Sequence, residues 1–224
     1  MSTEIFLPKE IQEIPGVLRI GVDLDANVDE IDTWTCRIVK RGLGVDIKSI
    51  LEKRPVNFWL DEWPEIKAIP HGPAFVNQLF GRTFIYENAI PVEGAIETLN
   101  KWRKQKHEIW FITARSKDSL DQVTLDWLER HELGWAKDKI LFSEGERVDF
   151  KTRQAEMLDL HIFIEDHAQT VKEVSSPSMI AKLVLKYPWN FGEDIGNASY
   201  VKNWQEINRI IQDASRWHYF FHTK

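Results

Sequence analysis

Two aspartates separated by one residue are the first feature of this chain that could do chemistry. The segment Gly21-Val22-Asp23-Leu24-Asp25 closes a short apolar run, so Asp23 ends a predicted strand and Asp25 lies in the following turn. The two carboxylates repel each other, and burial raises both pKa values, so a divalent cation or a proton must compensate them. An isolated pair of this kind is also common in ordinary turns, so it decides nothing alone.

A second strand-like run leads into residues that suit an anion. Ile109–Ile112 is followed by Thr113-Ala114-Arg115-Ser116, and a helix is predicted soon afterwards. A hydroxyl and a backbone N–H at a helix N-terminus form a cradle for phosphate. The alternative interpretation is that Thr113 is an ordinary helix cap.

A second acidic pair follows a later apolar run. Glu165-Asp166 comes directly after Ile162–Ile164, and Lys151 is predicted at the start of the helix that precedes this strand. The carboxyl ends of parallel strands meet at one edge of a sheet, so these groups would converge with the first pair. Oxygen ligands beside a phosphate cradle are typical of Mg²⁺. Each group also has an ordinary interpretation, a solvated turn or a surface lysine, but their coincidence indicates one site.

The elements that must position these groups alternate between strands and helices. Apolar runs of strand length occur at Val17–Val22, Ile109–Ile112, Ile140–Phe142, Ile162–Ile164 and Leu183–Leu185. Helical periodicity lies between them at Val92–Trp102 and Leu120–Leu128, and Val201–Ile211 predicts a closing helix. This pattern predicts an α/β fold, a doubly wound, Rossmann-like parallel sheet.

The interval between the first two predicted strands is too long for one crossover helix. Helical periodicity at Val28–Ile38 and Ile47–Leu51, with prolines after it, predicts a mostly helical insertion there. We therefore interpret residues 26–91 as a cap on one core formed by residues 1–25 and 92–224. Ligands of doubly wound sheets bind beyond the carboxyl ends of the strands, so this cap would cover the site.

Composition excludes several classes of protein. The 224 residues carry 35 acidic against 29 Lys and Arg side chains, without a basic cluster, which argues against long nucleic acid as a partner. The single cysteine, Cys36, excludes an internal disulfide and a cysteine-built zinc site. The chain lacks an apolar run of about 18 residues, so we expect no membrane partner. It begins without a secretory signal pattern, so we expect a cytoplasmic protein.

In order and spacing, these motifs resemble those of the haloacid dehalogenase superfamily of Mg²⁺-dependent phosphohydrolases. The four motifs correspond, in chain order, to Asp23-Leu24-Asp25, Thr113, Lys151 and Glu165-Asp166. The resemblance covers about residues 15–210. The helical insertion and the stretches Pro91–Ala95 and Lys186–Asn190 are similar to the 5'(3')-deoxyribonucleotidases and their bacterial relatives.

The resemblance implies a two-step reaction carried by the first motif. Asp23 would attack phosphorus and form an aspartyl-phosphate. Asp25 would be the general acid for the leaving alkoxide and then the base for the attacking water. Thr113, the Ala114 N–H and Lys151 would hold the phosphoryl oxygens.

The same resemblance implies a cation site. Mg²⁺ would be held by Asp23, the backbone carbonyl of Asp25 and Asp166, with Glu165 outside the direct ligand set. The residues after the first motif depart from the usual pattern. Ala26 and Asn27 stand where the superfamily usually has Gly or a similar small residue and then Thr or Val. Neither supplies chemistry in this scheme, and we expect them to affect the turn and the choice of substrate.

The sequence therefore predicts a Mg²⁺-dependent phosphomonoester hydrolase, a 5'(3')-(deoxy)nucleotidase whose partner is a small phosphorylated metabolite, a nucleoside monophosphate. A phosphatase for a sugar phosphate and a catalytically silent binder of a phosphorylated ligand remain alternatives. A signalling receiver domain is disfavoured by the long insertion and by Asp25. A metal-dependent glycosyltransferase would need a nucleotide-sugar domain before its Asp-x-Asp motif, and only 22 residues precede Asp23. Assembly into a homo-oligomer is left open.

Overall fold

The computed structural model describes residues 16–30, 32–143 and 147–222. In chain order the strands are β1 (Arg19–Val22), β2 (Asp29–Glu30), β3 (Ile90–Pro91), β4 (Glu108–Ser116), β5 (Ile140–Ser143), β6 (Ile162–Glu165), β7 (Ala181–Leu185) and β8 (Ser199–Val201). The helices are α1 (Asp32–Leu43), α2 (Ile47–Leu51), α3 (Pro64–Lys67), α4 (Gly72–Phe80), α5 (Thr83–Glu87), α6 (Ala95–Lys104), α7 (Lys117–Arg130), α8 (Arg147–Met157), α9 (Ala168–Glu173) and α10 (Trp204–His222).

Six of the strands form one parallel sheet in the order β5-β4-β1-β6-β7-β8. On the central strand β1, Val22 is the register partner of Phe111 on β4 and of Ile164 on β6. The carboxyl ends of these three strands therefore share one edge of the sheet. Together with the flanking helices, this confirms the predicted α/β fold class.

Both faces of the central strand are buried. Ile20 and Val22 belong to the same buried cluster as Trp102 of α6 and Trp127 of α7. Gly21 points to the opposite face, where a Cβ atom would lie 2.8 Å from the Phe163 ring, a distance that packed side chains do not allow. Burial on both faces thus explains why no polar residue interrupts Ile20, Gly21 and Val22 of β1.

The interval between β1 and β4 holds helices α1 to α6, of which α1 to α5 lie between β2 and β3 and are called here the inserted helices. Strands β2 and β3 pair antiparallel where this segment leaves and rejoins the core, with Asp29 opposite Pro91 and Glu30 opposite Ile90. Strands of two residues have no periodicity, so the sequence did not predict them. The boundaries of a cap at residues 26 and 91 stay a prediction.

The predicted helix starts at Val28 and Val201 are wrong. Val28 lies in a turn, where its N–H donates to the Leu24 carbonyl at 2.8 Å, and the helix begins only at α1. Val201 is the last residue of β8 and pairs with Leu185, and the closing helix begins three residues later. In both places an apolar residue that packs from a turn or strand matched helical spacing by coincidence.

The edges of two other elements also differ from the prediction. β4 continues to Ser116, so Thr113 lies within the strand rather than after it, with a register shift against β5 beyond Thr113. Lys151 lies one turn inside α8 rather than at its start.

In the described part of the chain, none of the helices has the length and hydropathy needed to span a bilayer.

Candidate active site

Asp23 is placed by the sheet at the centre of the site. It follows β1 directly, and its N–H donates to the Ile164 carbonyl of β6 at 3.0 Å, which holds its backbone at the sheet edge. Its side chain is almost fully buried, and Oδ1 lies 2.7 Å from Lys151 Nζ. The first and third predicted motifs are therefore in direct contact.

Lys151 joins the first acidic pair to the second. Its Nζ lies 2.7 Å from Glu165 Oε2 as well as from Asp23. The other oxygen of Glu165 accepts the N–H groups of Asp166 and His167, both at 3.1 Å. These bonds therefore occupy both side-chain oxygens of Glu165.

The site carries more negative charge than its residues neutralise. Burial and, after it, the charge of Glu165 raise the pKa of Asp23 to about 8, while Lys151 opposes this shift. Burial, then the charges of Glu165 and Asp23, also raise the pKa of Asp166 well above its usual value. Three carboxylates facing one ammonium group need additional positive charge to remain ionised together.

The same carboxylates form an oxygen-only ligand set. Ligand oxygens of Asp23, Glu165 and Asp166 all lie within 4.8 Å of one another, which within the described residues is a group able to hold a metal ion. Carboxylate oxygens at such distances suit a hard cation, so the residues present fit Mg²⁺.

Asp166 is held in place by the loop that follows β7. The indole N–H of Trp189 donates to Asp166 Oδ2 at 2.9 Å, and the Asn190 side chain donates to the Asp166 carbonyl at 2.7 Å. Tyr187 stacks on Trp189 with ring centroids 4.4 Å apart and donates its hydroxyl to the Ala26 carbonyl. This loop therefore contacts both Asp166 and the turn that follows Asp25.

The residues of the second motif lie at the same edge. Thr113 is buried on β4 two positions beyond Phe111, the register partner of Val22. Its hydroxyl oxygen accepts the Arg115 N–H at 3.2 Å, and Ala114 lines the cavity described below. All the predicted site residues are thus brought to one edge of the sheet.

Arg115 is a site residue that the sequence prediction missed. It is buried, donates from Nε and Nη2 to Asp25 Oδ1 at 3.1 and 2.7 Å, and pairs through Nη2 with Asp29. Nη1 donates to Thr124 Oγ1 at 3.0 Å. Burial works to lower the pKa of Arg115, but the charges of Asp25 and Asp29 outweigh it and raise the pKa above its ordinary value.

One signal in the sequence could have pointed to Arg115. It lies two positions after Thr113, and residues two apart on a strand share a face of the sheet. This spacing applies only if the predicted strand extends to Ser116, and the prediction ended the strand at Ile112. Asp29 had no comparable signal, because its strand β2 has only two residues.

Asn27 also lies inside the site rather than only in its turn. Ala26, the residue before it, has a left-handed φ of 60°. The Asn27 side chain, however, is fully buried and its Nδ2 atom reaches oxygens of Asp23, Asp25 and Asp166. The prediction from sequence did not anticipate that this polar side chain is buried among the acidic residues.

A cavity of about 430 Å³ opens onto these groups. Asp23, Asp25, Ala114 and Asp166 lie on its wall from the side of the sheet. Aromatic residues of the inserted segment that line the cavity are Phe58, Trp59, Trp63, Phe80 and Tyr86. The cavity therefore joins an acidic, polar end to a wall of aromatic rings.

Solved structures share this architecture. A crystal structure described as "a predicted phosphatase from Clostridium acetobutylicum" is 15% identical, with a TM-score of 0.59 over 88% of this chain and 99% of that chain. A haloacid dehalogenase family hydrolase from Deinococcus radiodurans R1, solved with bound phosphate and sodium, is 18% identical, with a TM-score of 0.58 over 89% and 96% of the two chains. No family model matches the sequence.

Curated relatives are similar in sequence at low identity. "Putative nucleotidase YqfW" of Bacillus subtilis (strain 168) is 23% identical over 199 residues, 85% of this chain and 91% of that protein. "Putative nucleotidase BH1399" of Halalkalibacterium halodurans is 25% identical over 129 residues. That match covers 58% of this chain and 63%, less than two thirds, of the relative.

The chain has the fold of the haloacid dehalogenase superfamily, so the resemblance predicted from its motifs is confirmed. The names of these relatives and structures, nucleotidase, phosphatase and hydrolase, agree with the enzyme class expected from the sequence.

Proposed function

We propose that the protein is a Mg²⁺-dependent phosphomonoester hydrolase that acts on nucleoside monophosphates through an aspartyl-phosphate on Asp23. One observation carries the proposal. Asp23 directly follows the central strand, contacts Lys151, shares an oxygen cluster with Asp166, and lies on the wall of the cavity.

Asp23 is the nucleophile in this scheme. One of its oxygens, Oδ1, pairs with Lys151, so the attack on phosphorus is assigned to Oδ2. Mg²⁺ held by Asp23, the Asp25 carbonyl and Asp166 would supply the positive charge that lets the nucleophile and an anionic phosphate approach each other. The P–O bond to the leaving alkoxide breaks as the Asp23–phosphorus bond forms, and water later cleaves the aspartyl-phosphate.

Asp25 moves the protons of both steps. It lies two residues beyond the nucleophile, lines the cavity and is partly exposed, so it can reach the leaving oxygen. Both Arg115 donors bind its Oδ1, so proton transfer is assigned to Oδ2. Arg115 thereby orients Asp25 without taking part in the proton transfer itself.

The phosphoryl oxygens are assigned to the second and third motifs. The Thr113 hydroxyl and the Ala114 N–H lie on β4, whereas Lys151 lies on helix α8. Donors placed in advance around the phosphoryl group stabilise the negative charge that it carries in the transition state.

The aromatic wall favours a nucleoside as the leaving group. A cavity of about 430 Å³ lies within the range of small-molecule sites. Stacking on rings such as Trp59 and Phe80 suits the flat face of a base. The nucleotidase names of two sequence relatives support the same choice. The inserted helices would then act as the cap that selects the substrate.

Phosphate release from a panel of substrates tests the proposal. The panel holds 5'- and 3'-(deoxy)nucleoside monophosphates, sugar phosphates and an aryl phosphate, each with Mg²⁺ or with chelator, and Asp23→Asn is the control. We expect Mg²⁺-dependent release that is fastest from nucleotides. Release from sugar phosphates alone would keep the mechanism and reject the substrate, and release from nothing on the panel would reject both.

A further inference from the structure

The Asn27 side chain occupies an unusual position among the carboxylates. It is fully buried, and its Nδ2 lies 3.0 Å from the Asp25 carbonyl oxygen, 3.2 Å from Asp166 Oδ1 and 3.5 Å from Asp23 Oδ2. These oxygens belong to the three residues that the proposed function assigns to Mg²⁺. An amide NH₂ group has only two hydrogens, so it cannot satisfy three acceptors fully.

The other end of the same amide has no partner. Asn27 Oδ1 is buried and accepts no hydrogen bond from the described residues. Buried polar atoms are rarely left unpaired in folded proteins, and each instance calls for an explanation such as an ion. The amide therefore has its donor end among negative oxygens and a strong acceptor unused within the same site.

The backbone of Asn27 is held by neighbours on both sides. Its N–H donates to the Leu24 carbonyl at 3.2 Å, and its carbonyl accepts the Trp204 indole N–H at 2.6 Å. The Tyr187 hydroxyl holds the preceding carbonyl, that of Ala26. A cation that enters the site must therefore be accommodated by rotation of the side chain rather than by movement of the turn.

We propose that Asn27 is a protein ligand of the Mg²⁺ ion. This inference rests on the proposed function. When no cation is bound, the NH₂ group bridges the three oxygens. When the cation binds, the carboxamide turns about its Cβ–Cγ bond and directs Oδ1 at the ion. The turn exchanges two atoms of nearly equal size, and an amide oxygen is a ligand that hard cations accept.

Calorimetric titration with Mg²⁺, without substrate, tests this role. We expect Asn27→Ala to weaken Mg²⁺ binding by about tenfold or more, as is typical when a group that supports a metal site is removed. Asn27→Asp keeps an oxygen at the same place and should bind Mg²⁺ at least as tightly as the wild type. Asn208→Ala is the matched control, because it removes a carboxamide that pairs with Trp102 on other helices, and its affinity should be unchanged.

Nuclear magnetic resonance of the side-chain NH₂ groups gives a second readout in the wild type. The Asn27 pair, assigned by its loss in Asn27→Asp, should shift on Mg²⁺ addition because its three acceptors are lost. This measurement does not depend on the folding of Asn27→Ala, which circular dichroism checks separately.

The outcomes separate this inference from the proposed function. Equal affinity of the wild type and Asn27→Ala would overturn the ligand role alone. Tighter binding by Asn27→Ala would also overturn it, because the amide would then only compete with the ion. Absence of Mg²⁺ binding by the wild type would overturn the proposed cofactor together with this inference.

Discussion

Arg115 donates two hydrogen bonds to the same oxygen of Asp25, from Nε at 3.1 Å and from Nη2 at 2.7 Å. The same Nη2 pairs with Asp29, whose side chain is fully buried. A single buried cation from β4 thus joins the turn of the first motif to the strand β2 at the start of the insertion. The orientation of the proposed acid and base group is set by a residue 90 positions away in sequence.

Replacing Arg115 by Met should destabilise the fold. The change leaves two carboxylates without their cation, and breaking a buried pair typically costs about 3 kcal/mol or more. Urea unfolding measures the free energy change. The added substitution Asp29→Asn should recover part of the lost unfolding free energy, because it removes one of the two carboxylate charges that Arg115 compensates. An unfolding free energy equal to that of the wild type would show that the ion pairs contribute nothing.

Asp23→Asn should abolish phosphate release while the protein stays folded. An amide cannot form the aspartyl-phosphate. Burial raises the pKa of Asp23 to about 8, so the site disfavours its charge, and the neutral variant should have a Tm at least as high in the absence of Mg²⁺. Differential scanning calorimetry and single-turnover assays check the two parts. Phosphate release that survives the substitution would reject Asp23 as the nucleophile.

Mg²⁺ should stabilise the protein against heat. A ligand that binds only the folded state contributes about 2.7 kcal/mol at 100 times its Kd, and a calorimetric scan with and without Mg²⁺ measures it as a rise in Tm. Asp166→Ala should reduce this rise and increase the Mg²⁺ concentration needed for activity. Asp194→Ala, which changes an exposed carboxylate paired with Lys172, should leave the rise intact. Equal Tm shifts in the two variants would place the cation elsewhere.

Trp59→Ala should weaken the recognition of nucleotides. Loss of one base–aromatic stacking contact is worth about 1 to 3 kcal/mol, so KM for nucleoside monophosphates should rise about tenfold. KM for a small sugar phosphate should stay the same, because that substrate does not reach the ring. Steady-state kinetics of the two substrates separate these effects. Phe84→Ala, at an exposed ring outside the cavity wall, is the control, and a similar change in both variants would contradict stacking at Trp59.

Two buried histidines should make the protein less stable in mild acid. The Nδ1 atoms of His107 and His161 accept the N–H groups of Leu18 and Arg19, which requires neutral rings. Burial lowers both pKa values below the ordinary 6.5. The unfolded chain therefore binds protons first as the pH falls through 6.5, so their contribution is present above 6.5 and is lost below it.

Urea unfolding at pH 7.5 and 5.5 measures this loss. His161→Asn keeps an acceptor near the position of Nδ1 and cannot be protonated, so the difference between the two pH values should become smaller. An unchanged difference would show that His161 does not contribute to the acid sensitivity.

The sequence alone determined much of the sheet and of the site. Four of the five predicted strand runs lie within β4, β5, β6 and β7, and the first, Val17–Val22, contains all of β1. These elements are predictable because an apolar run buried on both faces is a local pattern. Asp23, Glu165 and Asp166 were expected close together for a related reason, since the ends of parallel strands must share one edge.

Tertiary structure decided the contacts that connect those residues. Arg115 meets Asp25 and Asp29, and Asn27 meets Asp166, through pairings between segments that are distant in the chain or too short to have periodicity. Whether a polar side chain faces water, a partner or an ion depends on which distant elements cover it, and local pattern holds no information about this. The order of residues along the chain was therefore enough to identify the motifs. The partners of the motif side chains were determined by how β4 and the loop after β7 pack against the turn that follows β1.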